Sequence, residues 1–145
     1  MSRHTLRVGT ATLAVVAALV LAPLAAAVNP YVHVSLRQRG GSGVTGSAVV
    51  AAKSDGTRVT LTLYGLAPKS AVRALLNAGT CAKPSASFTL IVSAKATAAG
   101  GVSSAAQLAL GGKQVSFFDV ADGEHVIRIT AGSQVVACGA VPAMH

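Results

Sequence analysis

The sequence predicts an all-β fold, an antiparallel sandwich or barrel of short strands behind an N-terminal signal helix. Two observations predict it. Apolar and polar residues alternate in runs of six to nine, the period of a strand with one buried face. Glycine-containing turn signals separate those runs at short intervals, and the spacing suits a sandwich or barrel better than βαβ units.

In chain order, residues 1–27 read as a targeting segment. Arg3 and Arg7 give a positive start, "ATLAVVAALVLA" an apolar stretch, Pro23 a break, and Ala25-Ala26-Ala27 an A-x-A cleavage site. The expectation is cleavage after Ala27. The alternative is a retained anchor, for which residues 8–27 are barely long enough. Residues 28–145 then form a single domain, long enough to bury a core.

The strands follow. "YVHVSL" alternates, "SAVVAA" comes after a glycine-rich stretch, and "RVTLTLYGL" sets Val59, Leu61 and Leu63 against Thr60 and Thr62. "SFTLIVSA" groups Phe88, Leu90 and Val92. "KQVSFFDV", "EHVIRIT" and "SQVVACG" read as three more strands. Turns are expected at Asp55-Gly56, Gly100-Gly101, Gly111-Gly112, Asp122-Gly123 and Gly132-Ser133. The segment "GVSSAAQLALGG" is ambiguous and has room for a helical turn.

The stretch "GGSGVTG" contains G-x-G-x-x-G at Gly41, Gly43 and Gly46. A dinucleotide fingerprint requires a strand before it, a helix after it and an acidic residue about twenty positions on. Residues 47–52 favour a strand and lead to another strand, so these glycines are assigned to a turn and a bend.

Two cysteines are present, Cys81 and Cys138. An even, low count in an exported chain suggests one disulfide. Two buried thiols are the alternative, and a metal site without C-x-x-C spacing has less support. Ten Lys and Arg in residues 28–145 face Asp55, Asp119, Asp122 and Glu124, a net of about +6. The cations stand singly, as on a solvated surface. The functional alternative is attraction to an anionic cell-surface polymer or lipid head groups. Specific nucleic-acid binding is poorly supported, since basic clusters and stacking aromatics are lacking.

"SGVTGSAVV…GTRVTLTLYGLAP" resembles the opening of the copper-zinc superoxide dismutase family, in which a G-x-V-x-G turn precedes a hairpin and a strand ending in Gly-Leu, here Gly65-Leu66. Gly79 and Cys81 fall at the family's glycine and cysteine, and Ala137-Cys138-Gly139 matches its closing motif. The pattern also resembles exported sandwich proteins of the chordin-type (CHRD) group. The resemblance spans most of residues 31–142. It implies an eight-stranded Greek-key sandwich with a disulfide tying a long loop to the last strand. The chemistry does not follow. The family's two copper-ligand histidines land on Ala74 and Leu76, a later one near Ile129, and its arginine on Val135. No histidine-rich zinc loop follows Cys81. Residues 28–145 hold only His33, His125 and His145, too few for a copper-zinc pair.

His33 is expected to share a face with Tyr31 and Ser35, His125 with Ile127 and Ile129, and His145 ends the sequence. The most polar stretch holds Asp119, Asp122, Glu124 and His125. It reads as a solvated hairpin or, alternatively, a weak cation site of hard oxygen ligands. No serine sits in G-x-S-x-G, so a hydrolase has no marked nucleophile. The functional expectation is therefore an exported, non-catalytic module without a cofactor. It would act at the cell envelope or outside the cell on a protein or an anionic polymer. The alternatives are a metal-binding protein or enzyme with a residual site near Asp119–His125, and a subunit of a larger assembly.

Overall fold

The computed structural model describes residues 28–145; the predicted signal segment, residues 1–27, lies outside the described residues. The chain forms β1 (Tyr31–Gln38), β2 (Thr45–Lys53), β3 (Gly56–Tyr64), β4 (Ala71–Gly79), β5 (Pro84–Lys95), β6 (Val102–Gln107), β7 (Ala109–Leu110), β8 (Lys113–Gln114), the one-turn helix α1 (Phe117–Val120), β9 (His125–Ala131) and β10 (Gln134–Ala140).

Eight strands make one antiparallel sheet in the order β5-β4-β9-β10-β1-β2-β3-β6, folded over on itself at β1. Tyr31 to Leu36 pair with β2, and Arg37 and Gln38 pair with β10. The result is two layers, β1-β2-β3-β6 and β10-β9-β4-β5. At the far side β5 and β6 touch without a shared ladder. The barrel is therefore nearly closed, and little edge is left for pairing with another chain. Residues 65–70 and 96–101 carry the chain from one layer to the other and back, so that β6 returns beside β3 in a Greek key. Among the described residues no helix is long and apolar enough to cross a membrane.

The strand periodicity holds best in the first layer. Val32, Val34 and Leu36 of β1, Ala48 and Val50 of β2, and Val59, Leu61 and Leu63 of β3 all enter one core. Each turn residue has a local reason. Gly43 adopts φ 72° where β1 leads into β2, a region that L side chains rarely adopt. Gly46 faces β3 so closely that a Cβ there would collide with the Thr62 carbonyl oxygen. The glycine-rich stretch thus links strand to strand, and no helix follows it.

One ambiguity is resolved and three sequence expectations change. Residues 102–107 form strand β6, laid along β3 from Leu63–Val102 to Arg58–Gln107. Their Ser and Ala residues have no strong preference of their own, and the free flank of β3 decides. "KQVSFFDV" is not one strand. Lys113–Gln114 form the short β8, and Phe117 and Val120 are buried on one side of α1 while Phe118 and Asp119 are exposed. That spacing of three suits a helical turn. A bulge in the β4–β5 ladder pairs Ala74 with Val92 but Leu75 with Leu90. Ile91 and Val92 turn inward, whereas Phe88 and Leu90 face out at 47% and 44% exposure. The expected grouping of Phe88 and Leu90 with Val92 is broken there. Finally, Asp122-Gly123 lies between α1 and β9, so it is a helix-to-strand turn and no hairpin.

Cys81 and Cys138 form a disulfide, with Cα atoms 5.9 Å apart and a sequence separation of 57. Cys81 lies in the short connection 80–83, not in a long loop, and Cys138 lies on β10. The connection folds over the outer side of the second layer. There Leu75, Val126 and Cys138 are buried although they point away from the main core. Arg39 donates from Nη2 to the Cys81 carbonyl at 2.9 Å and fastens the same loop.

Candidate functional site

Ala74 and Ile129 are direct cross-strand partners between β4 and β9, and Leu76 pairs with Ile127 in the same ladder. Ala74, Leu76 and Ile129 are 1%, 6% and 0% exposed and belong to the one apolar core. No donor atom reaches that volume from these three side chains. Val135 lies on β10 beside its irregularity and is only partly buried.

The polar stretch comes together only in part. Oδ1 of Asp122 accepts the Glu124 backbone N–H at 2.8 Å and lies 2.9 Å from Nδ1 of His125. Slight burial pushes the Asp122 carboxyl up, but the bonds from His125 and the Glu124 amide outweigh it and hold the pKa below 3.8. Asp119 sits apart on the exposed side of α1, and the Glu124 side chain is exposed. Among the described residues no three His, Cys, Asp or Glu side chains converge as a cation site would need.

His125, at the start of β9, borders two open grooves. One is shared with Leu76, Ser85, Ser87, Phe88, Thr89 and Leu110, the other with Gly79, Thr80 and Glu124. An aspartate-held imidazole beside serines invites comparison with a hydrolase. The Ser85 hydroxyl, however, donates to the Ser87 carbonyl at 2.9 Å, and no serine bonds to His125. The pair orients the turn into β9 without an activated nucleophile. His33 is exposed and meets Tyr31 edge to face at 5.4 Å. His145 is exposed at the last residue.

A third groove runs along the outer side of the first layer, where β1 leaves β2. It is lined by Ser35, Arg37, Gln38, Thr45, Ser47 and Tyr64.

Two features escape a reading of the sequence. Asn77 is 1% exposed and donates from Nδ2 to the carbonyls of Ser85 and Ser87 at 3.0 and 3.1 Å, while its Oδ1 has no partner. The other is a gathering of cations. Arg73, Lys95 and Arg128 are far apart in the sequence but share the outer side of the second layer, and Arg37 adjoins them from the end of β1 that pairs with β10. Parity within each strand was visible beforehand, but the strand order that sums those parities was not.

No family model matches the chain, no characterised protein matches it in sequence, and no solved structure matches it in fold.

Proposed function

We propose that the protein is an exported, non-catalytic β-sandwich module of superoxide-dismutase-like or CHRD-like build, whose metal-ligand positions have been given over to packing. It acts through its surface on a partner at the cell envelope or outside the cell. The observation that carries this reading is the burial of Ala74, Leu76 and Ile129 in one apolar core. Re-creating a copper pair there would need several imidazoles and the space to hold them.

Export is supported by the disulfide, since such bonds persist in oxidising compartments. The signal-like residues 1–27 support it from the sequence. A residual site near Asp119–His125 has less support, because only Asp122 and His125 meet.

The test uses oxidised, purified residues 28–145, which contain all ten strands, the core and the disulfide. Superoxide dismutation should not rise above the buffer rate, and dialysis against copper should leave no stoichiometric metal. Measurable dismutation, or copper retained at one ion per chain, overturns the reading.

A further inference from the structure

Cross-strand partners lie on the same side of a sheet, so the registers assign a face to each cation. Arg37, Cys138, Arg128, Leu75 and Leu90 form one row across β1, β10, β9, β4 and β5. Arg73 lies in the row of Thr130 and Ser93, and Lys95 lies opposite Ala71. Neighbouring core residues point the other way, so this side is the outer one. Arg37, Arg73 and Lys95 are exposed, and Arg128 is half-buried. Lys83 stands exposed in the disulfide-tied loop at the rim.

No Asp or Glu lies on β10, β9, β4 or β5. Three of the four acids, Asp119, Asp122 and Glu124, are confined to α1 and its connection to β9. Asp55 caps a hairpin of the other layer. The same outer side carries the exposed Phe88 and Leu90 on β5, with the Arg73 guanidinium 5.4 Å from the Phe88 ring centre.

We propose that this face docks on an anionic phospholipid surface. The proposal rests on the surface-acting reading above and names its partner. The argument is complementarity. Four cations on one side, with no carboxylate among them, are drawn to a negatively charged leaflet. Phe88 and Leu90 supply apolar side chains at the same level for the headgroup boundary. A polymer strand would favour a groove; of the four cations only Arg37 lines one of the grooves described above, and Arg73, Arg128 and Lys95 line none.

The experiment is co-sedimentation of oxidised residues 28–145 with vesicles of phosphatidylglycerol and phosphatidylcholine, or of phosphatidylcholine alone. Binding should require phosphatidylglycerol and weaken as salt is added. R73E/R128E should lower partitioning at least roughly tenfold, while K53E/R58E on the other layer should lower it much less. F88S/L90S should weaken vesicle binding and leave the salt dependence in place. Thermal melts identify any variant that has lost its fold, and R73Q/R128Q then replaces the reversals. Equal binding to neutral vesicles, equal loss in K53E/R58E, or unchanged binding in R73E/R128E overturns the proposal. So does tighter binding to soluble polygalacturonate that F88S/L90S leaves unchanged. That last outcome transfers the face to an anionic polymer and keeps the non-catalytic reading, which only dismutation or copper retention removes.

Discussion

The two layers of this sandwich are built from similar strands and differ in what they do with their outer sides. In β1-β2-β3-β6 the β2–β3 ladder runs without a shift from Thr45–Tyr64 to Lys53–Gly56. Its outer side shows Ser35, Ser47, Thr60, Thr62 and Ser103, with Tyr31 and Tyr64 exposed. In β10-β9-β4-β5 the register shifts between Ala74 and Leu75, between Asn77 and Gly79, and between Val135 and Ala137. There the outer side buries Leu75, Val126, Cys138 and Asn77 under the loop 80–87, and exposes Arg73, Lys95 and Leu90 beyond it. Bulges re-aim side chains. The irregular layer thus buries side chains on both its sides, and the regular layer buries them on one. The difference teaches that the second layer depends on specific attachments, while the first depends on burial alone.

The sharpest way to break that comparison is to remove the bond that holds the loop down. C81S/C138S releases a cross-link between positions 57 apart, which in the chain-entropy model is worth about 4 kcal/mol. Urea unfolding should show a loss of that order. Amide exchange should quicken first in residues 74–90 and 126–138, ahead of β2 and β3. Uniform loosening of both layers contradicts the distinction. Asn77 is the next attachment. N77A removes the amide that donates to the Ser85 and Ser87 carbonyls in a part-buried setting; the Ser87 carbonyl keeps the Ser85 hydroxyl, so the bonds lost cost about 2 kcal/mol. Removing the partnerless buried Oδ1 offsets part of that cost, so the net loss should be about 1 kcal/mol, and no loss at all would mean that the segment 85–87 finds water instead.

How much of this was legible beforehand follows the same division. The regular layer could be read from the sequence because its alternation is intact: Val59, Leu61 and Leu63 are all in the core. The disulfide was legible from two cysteines and a signal-like start. The outward turn of Phe88 and Leu90 is not legible because a bulge is an agreement between two strands, and one strand alone does not announce it. The sequence of β6 is ambiguous because "VSSAAQ" takes its structure from the neighbouring β3. α1 resembles a strand in the sequence because the apolar spacing from Phe117 to Val120 covers a single turn. Of the candidate site, the pairing of Asp122 with His125 fits the polar stretch already singled out, but Asp119 stands away from it on the helix. The cationic face had no local signal at all. It arises from strand order, which places Arg37 and Arg128 on either side of Cys138.

The smallest expected effect lies where the cationic face ends and the acids begin. Burial pushes the Asp122 carboxyl up, and the hydrogen bonds from His125 and the Glu124 amide, with the charge of His125, together outweigh it and hold the pKa below 3.8. A lowered carboxylate pKa means that the folded state resists protonation. Its contribution is therefore complete above 3.8 and is lost as pH falls through the lower folded value. Asp122 and His125 side chains are 33% and 24% exposed, so solvent screening keeps the amount under about 1 kcal/mol. D122N should lower the urea midpoint slightly at neutral pH, and the gap from the parent protein should shrink as the buffer is taken well below 3.8. A gap that persists in acid would assign the effect to the N–H of Glu124 and the shape of the turn, with charge playing no part. The same variant should leave vesicle partitioning close to that of the parent, because Asp122 stands outside the row of Arg37, Arg128 and Leu90.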